Sequence, residues 1–297
     1  MTSLHPVYAG DLGRRRSLLL GRIMAYSLYM TRYIDTHSHV YFPQFDTDRE
    51  AVYERMHASA VQTIAVGTSL RTSQQAVQAV RDTPDLVVAA TIGVHPNAAA
   101  EGFDTVVFEE LLATSVPRLV CGVGECGIDY YRGATDQEKA KQKEVFQAQI
   151  EFALAHDLPL MLHVRSSKGT DDAHHDALSI IDTYQKPHGE KVRGTSHFFT
   201  ASLAIAKEYW KRGFATSFPG VITFAEECEE VVREAPAHLM LAETDAPYAA
   251  PLPHRGQRNE PSYVVEVVRK IAAVREEELE RTKEQLLKNA QRIFNIV

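Results

Sequence analysis

From Tyr33 onward, short apolar runs alternate with amphipathic stretches to the end of the chain. Val61 to Gly67, Leu86 to Val94 and Leu158 to His163 have the length and content of strands bounded by polar segments. Read in order, strands are expected at 33–39, 61–67, 86–94, 118–125, 158–163, 192–198, 213–218 and 238–243. Helical spacing predicts helices at 46–60, with Asp46 or Thr47 as N-cap, and at 71–82, 103–113 and 136–156. Further helices are expected at 172–184, 201–212, 222–234, 261–275 and 276–295. Eight strands alternating with helices predict an α/β chain folded as a (β/α)8 TIM barrel. A doubly wound open sheet is the alternative, but no Gly-x-Gly-x-x-Gly follows an early strand, so a dinucleotide fold has no support. No repeat, low-complexity tract or linker divides 33–297, which therefore reads as a single domain.

Residues 1–32 read differently. Arg14-Arg15-Arg16 ahead of Ser17-Leu18-Leu19-Leu20 loosely resembles a twin-arginine or secretory signal, yet Arg22 breaks the apolar run and no small-residue cleavage site follows. The stretch is too short and too charged to span a bilayer. It is expected to be an extension outside the core, or sequence upstream of a start at Met30. The net charge of -7 gives no basic footprint, so a nucleic-acid partner must be gripped by local charge or by metal. Cys121, Cys126 and Cys228 are odd in number and lack metal-knuckle spacing, which fits a reduced, cytoplasmic compartment.

Polar residues recur where strands end. His37 and His39 sit two apart on the first strand, so both project to one face and can share a cation. The fourth strand ends in Gly124-Glu125-Cys126-Gly127-Ile128-Asp129, the fifth in His163, the sixth in His197, and the eighth leads to Glu243-Thr244-Asp245. In a barrel these positions share the catalytic end. Four histidines and two carboxylates there fit two divalent cations, with one carboxylate as bridge. Taken singly, each has a plainer reading: a hydrogen-bonded core histidine, or, for Asp245, the cap of a turn before Pro247. Glu125 between glycines resists that reading, because an unpaired buried carboxylate is costly. His174 and His175 are expected to face solvent.

The motifs His37-x-His39, Gly93-Val94-His95-Pro96, Gly124-Glu125-Cys126-Gly127-Ile128-Asp129-Tyr130-Tyr131, Leu162-His163-Val164-Arg165 and His197-Phe198-Phe199 resemble, in this order, those of the TatD family of metal-dependent hydrolases. Glu243-Thr244-Asp245-Ala246-Pro247-Tyr248 and Arg255-Gly256-Gln257-Arg258-Asn259-Glu260-Pro261 extend the resemblance. It covers Tyr33 to the C-terminus. It implies a metal-dependent deoxyribonuclease in which His37 and His39 match one metal pair completed by Asp245, Glu125 the bridge, and His163 and His197 the second site. Asn97, Phe198 and Ala201 depart from residues common in that family, and none of the departures removes a ligand.

Phosphodiester hydrolysis needs a nucleophile and neutralisation of phosphoryl charge, which a dinuclear centre of Mg2+, Mn2+ or Zn2+ supplies. Asp245 is the candidate for ligand, general base or both, and Glu125 the other catalytic candidate. Arg165 and Arg255 are candidate phosphate contacts, against ordinary salt bridges. His95 is placed to bond substrate or to hold a carboxylate. Arg258 is expected to fix its loop through Glu260. Tyr130, Tyr131, Phe199 and Tyr248 are candidates for stacking bases. The expected partner is DNA, single-stranded or at 3′ ends, and no membrane. The alternative is hydrolysis of amide, ester or lactone bonds, the aminoacyl-tRNA ester included; Glu125 rather than a lysine at strand four argues against barrels bridged by a carboxylated lysine. A metal-binding protein without activity is the third reading, which the intact ligand set opposes.

Overall fold

Strand segments rich in Val, Ile and Ala, with few charges, bury both of their faces, which is the condition for a parallel sheet covered by helices. In the computed structural model, which describes residues 32–115 and 119–296, every residue of β2 (Val61–Val66) and β4 (Val120–Asp129) is buried. The other strands are β1 (Tyr33–Ser38), β3 (Val87–Ile92), β5 (Leu160–Arg165), β6 (Gly194–Ser196), β7 (Ala215–Phe218) and β8 (Met240–Ala242). They form one sheet in sequence order, all neighbours parallel. The seam between β8 and β1 is closed just beyond the strands: the His39 amide donates to the Ala246 carbonyl at 2.8 Å and the Asp245 amide to the His37 carbonyl at 2.9 Å. The expected (β/α)8 barrel is thus the fold. The expectations for the first 31 residues lie outside the described residues.

The helices are α1 (Arg49–Ala58), α2 (Leu70–Asp82), α3 (Thr105–Thr114), α4 (Asp136–Ala155), α5 (Asp172–His188), α6 (Leu203–Lys211), α7 (Glu229–Glu234), α8 (Val264–Arg275) and α9 (Leu279–Phe294). Their starts follow local chemistry. Ser69 and Thr135 each form a capping box, with Thr72 and Glu138 respectively, and Asp104 and Ser202 accept amides at the starts of α3 and α6. Apolar faces such as Val77 and Val80 of α2 and Phe146 and Ile150 of α4 pack on the outside of the sheet. A second apolar layer lies within the barrel, where Ile34, Ile64, Ala89, Met161 and Leu241 meet Ile293 and Phe294 of α9. Asn289 ties α9 to the entry of β8 by donating to the Ala237 and Met240 carbonyls at 2.7 and 2.8 Å. One end of the barrel is covered in this way, and the polar strand ends are left at the other.

Several expected boundaries move. The first helix begins at Arg49 rather than near Asp46, because a 3-10 turn occupies Pro43–Phe45. Asp46 is taken by Arg49 at 2.6 Å, so it does not cap. The expected helix at 222–234 breaks into 3-10 turns at Gly220–Thr223 and Glu226–Cys228 before α7; its run of glutamates sets like charges on one helical face. The Gly-x-Gly-x-x-Gly spacing at Gly122–Gly127 runs inside β4 and forms no strand-to-helix turn. Strands β6 and β8 are only three residues each, since the chain leaves strand geometry where Phe198 (φ +46°) and Asp245 (φ +56°) turn left-handed.

Candidate metal centre

Two bulges aim the inward side chains. On β1, Asp35 pairs with Thr63 and Ser38 with Ala65, so three steps on one strand oppose two on the next, and His37 lies in the irregularity. On β4, Val123 pairs with Leu160 and Cys126 with Leu162, and Glu125 lies in the corresponding bulge. The two glycines of this stretch let β4 approach β5: a Cβ on Gly124 would stand 2.6 Å from the Met161 carbonyl, and one on Gly127 would collide with that of His163. Glu125 and His163 therefore meet, with Oε1 2.8 Å from Nδ1.

The remaining candidates converge on the same carboxylate. His197 Nε2 is 2.9 Å from Glu125 Oε1. His37 Nε2 and His39 Nε2 are 3.6 and 3.8 Å from Glu125 Oε2. They lie 3.5 and 3.6 Å from Asp245 Oδ1, and 3.4 Å from each other. Atoms of His37, His39 and Asp245 fall within 4.8 Å of one another, as do those of His37, Glu125 and His197, and those of His95, Glu125 and His163. His37, His39, Glu125 and His197 are buried.

The outer nitrogens decide what the inner ones offer. His39 Nδ1–H donates to the Val66 carbonyl at 2.8 Å, leaving a lone pair on Nε2. His197 Nδ1 faces Glu243 Oε1 at 3.3 Å and His163 Nε2 faces Asp129 Oδ2 at 3.2 Å; both carboxylates require a donor, so the inner nitrogens again carry lone pairs. Histidine nitrogens and carboxylate oxygens thus face one another, an arrangement that needs a proton or a metal cation between them. The donor set fits divalent metal: imidazole and carboxylate, three imidazoles with fixed tautomers, and four carboxylates in Glu125, Asp129, Glu243 and Asp245, whose charge two divalent cations balance.

The electrostatics agree. Burial alone would raise the Glu125 carboxyl, but the charge on His197 and the hydrogen bonds from His163 and His197 hold it well below the usual range. Burial opposes charge on His197, yet Glu125 and Glu243 outweigh it and raise the imidazole well above its ordinary value. His163 is raised in the same way, with Asp129 and Glu125 overcoming burial. Positive charge is favoured at these positions, and protons compete with metal for them. His37 is lowered by burial and by His197, against which it stacks at 4.0 Å.

His95 differs from the other histidines. Its Nδ1 accepts the Asn97 amide at 3.0 Å, so its proton sits on Nε2, 3.5 Å from Glu125 Oε1. Burial and His163 lower its pKa to about 3, making it a neutral donor toward the cavity rather than a lone-pair ligand. The cavity holds about 710 Å³ and is lined by His39, His95, Glu125, His163, Arg165 and Asp245, among others. Arg165 stacks on Tyr131 at 3.5 Å. Arg255 stacks on Phe224 at 4.0 Å and is not among the residues lining this cavity.

Other expectations change. Tyr130 and Phe199 are buried, Tyr130 donating to Asp176 at 2.8 Å, so of the four aromatics only Tyr131 and Tyr248 are exposed. His174 is buried too, against the Tyr209 hydroxyl at 3.2 Å, because α5 turns it toward α6; His175 is exposed. Arg258 fixes its loop through Asp48, at 2.7 Å on both oxygens, and Glu260 is gripped by Arg55. Asn259 donates to the Thr244 and Tyr248 carbonyls, holding the segment that carries Asp245.

Sequence reasoning assigned no role to Asp129, Glu243 or Asp35. The first two lie inside quoted motifs, and their signal is a carboxylate two or four residues from a candidate ligand. Asp35 is fully buried and accepts from the Thr244 amide at 2.8 Å and the Thr244 hydroxyl at 2.7 Å, pinning β1 to the β8 end. Burial pushes its carboxyl well up.

Comparison with known proteins gives one answer. The model of the family described as TatD related DNase matches residues 34–295. YabD of Bacillus subtilis, an uncharacterized metal-dependent hydrolase, is 38% identical over 269 residues, spanning 88% of this chain and 98% of the relative. A protein of Erwinia tasmaniensis named 3′-5′ ssDNA/RNA exonuclease TatD is 32% identical over 263 residues, spanning 85% and 96%. The crystal structure of YjjV, a TatD homolog from Escherichia coli, superposes with a TM-score of 0.77 at 28% identity, covering 90% of this chain and 99% of that one. The chain belongs to the TatD-related DNase family of metal-dependent hydrolases.

Proposed function

We propose that this hydrolase is a nuclease that cleaves phosphodiester bonds of single-stranded DNA, working from 3′ ends, with two divalent cations. The observation that carries the reading is the convergence of His37, His39, His163 and His197 on Glu125. His37, His39 and Asp245 would hold one cation, His163 and His197 the other, and Glu125 would bridge them. Such a pair, when bound, supplies Lewis acidity toward phosphoryl oxygens and acidifies water, with Mg2+, Mn2+ and Zn2+ all compatible with the ligands. The strand specificity is supported by the name of the Erwinia relative.

The chain's own groups supply the rest. Asp245, at the rim of the cavity, accepts the proton of the attacking water. His95 donates a hydrogen bond from Nε2–H to a phosphoryl oxygen and keeps its proton. Arg165, with no carboxylate partner among the described residues, contacts phosphate in the cavity, and we keep Arg255 for strand lying beyond it. Exposed Tyr248 at the cavity edge offers a face for a base. The test is turnover of short single-stranded DNA, with and without chelator, beside simple ester and amide substrates. Metal-dependent cleavage of the DNA alone is expected; cleavage of the ester or amide alone would overturn the reading.

We also propose that residues 33–297 form one catalytic domain and that 1–32 are dispensable, which the span of the family match supports. A chain starting at Met30 keeps its melting temperature and turnover; a large loss of either refutes this. A cytoplasmic location is supported by three unpaired, buried cysteines. No helix among the described residues is long and apolar enough to cross a membrane.

A further inference from the structure

Beside the metal cavity lies a second one of about 790 Å³, between the turn Pro96–Glu101 and the first turns of α4. The two share Asn97, Asp129 and Arg132 as a common wall, so they are compartments of one cleft. Each is of ligand size. Ala99, Ala100, Gly133, Ala134 and Ala140 give the second small walls, edged by longer polar side chains such as Arg132, Gln137, Glu138 and Lys141. Its charges are largely spent. Glu138 accepts from Thr135, and Lys141 pairs with Glu144 at 2.7 Å. Arg132, on the shared wall, has no carboxylate partner among the described residues, and it is exposed.

Resting on the phosphodiesterase reading, we infer that this side compartment is a nucleoside subsite: it takes the sugar and base next to the scissile phosphate, while Arg132 bonds the strand's phosphate as it crosses the wall. Glu138, which has no cationic partner among the described residues, disfavours a run of phosphates there, whereas small walls edged by Asn97 and Gln137 amides suit a flat ring with a hydrogen-bonding rim. The enzyme therefore prefers an oligonucleotide over an isolated phosphodiester, and the preference resides in a compartment separate from the proposed ligands.

The test compares a short thymidine oligonucleotide with bis(4-nitrophenyl) phosphate, both with Mn2+. Ala140→Phe, on the exposed face of α4, fills the slot. It is expected to lower kcat/KM for the oligonucleotide by about tenfold or more, mainly through KM, as exclusion of a bound base costing about 1.4 kcal/mol or more does. Activity on the small diester should stay within about twofold of the parent, and the melting temperature should be unchanged. Arg132→Ala should weaken oligonucleotide binding and reduce the slope of log affinity against log salt by about one. If the parent cleaves both substrates and Ala140→Phe lowers both alike or neither, the subsite is wrong while the phosphodiesterase reading stands. If the parent cleaves neither, that reading fails and the subsite with it. An unchanged salt slope in Arg132→Ala removes Arg132 from the strand's path and overturns the crossing at the shared wall.

Discussion

Glu243→Gln tests whether His197 is a metal ligand held in place from behind. Glu243 is fully buried; its Oε1 accepts the Phe198 amide at 2.6 Å and faces His197 Nδ1 at 3.3 Å, and its Oε2 has no partner among the described residues. Glutamine keeps the volume and can still accept from Phe198, but the bond to His197 changes from charged to neutral acceptor. Charged hydrogen bonds contribute about 1.5–3 kcal/mol and neutral ones about 0.5–1.5 kcal/mol, so the loss is about 1–1.5 kcal/mol. That corresponds to about tenfold in affinity, at the low end of what removing the partner of a ligating histidine costs. Glu243→Ala should behave differently. It strands the Phe198 amide at a left-handed residue and should lower stability by about 2–3 kcal/mol as well. The assay is calorimetric titration of metal-stripped protein with Mn2+, with melting temperature as the control on folding. A folded Glu243→Gln protein that binds Mn2+ as tightly as the parent refutes the reasoning, because His197 then either does not ligate or does not need its partner.

Asp245→Asn should reduce single-turnover cleavage by at least about a hundredfold while short DNA still binds, since the amide cannot take a proton; near-normal cleavage would remove Asp245 as base. Arg55→Ala strands the buried Glu260 carboxylate, which Arg55 grips at 2.6–3.0 Å. With Arg55 half exposed, a loss of about 2 kcal/mol is expected, read as a fall in denaturant midpoint. Asp172 takes bonds from Ser167, Thr170 and the Ala173 amide, which outweigh the effect of burial and depress its pKa. Its contribution to stability is therefore full above the unfolded value of about 3.9 and is lost as pH falls through the lower folded value. The melting-temperature gap between the parent and Asp172→Asn should shrink from about pH 5 to about pH 2, and a gap constant over that range would contradict this.

What the sequence showed and what it hid divide along a physical line. Strand and helix order was legible because burial imposes periodicity, and the strand-end polar residues were legible because nothing else explains His163 or Glu125 after apolar runs. The bulges at His37 and Glu125 were not, since they leave no compositional mark beyond the neighbouring glycines. Nor were partners chosen by tertiary packing. Arg258 had Glu260 nearby in sequence, yet bonds Asp48 from the far end of the domain. The tautomer that sets His95 apart depends on one backbone amide, and the covering of Tyr130 and His174 depends on how α5 docks; neither is written in local pattern.

The clip between Asp35 and Thr244 joins residues 209 positions apart. Nearly the whole domain must leave the ribosome before the seam can form, and Asp245 reaches His37 and His39 only across that seam. Such long-range pairing forms late and slowly during folding. A nascent chain consequently carries an unfinished centre, and so does any product of premature termination upstream of β8. The barrel's last closure thus times the centre: Asp245 can join His37 and His39 only in a chain made through β8 and the turn after it.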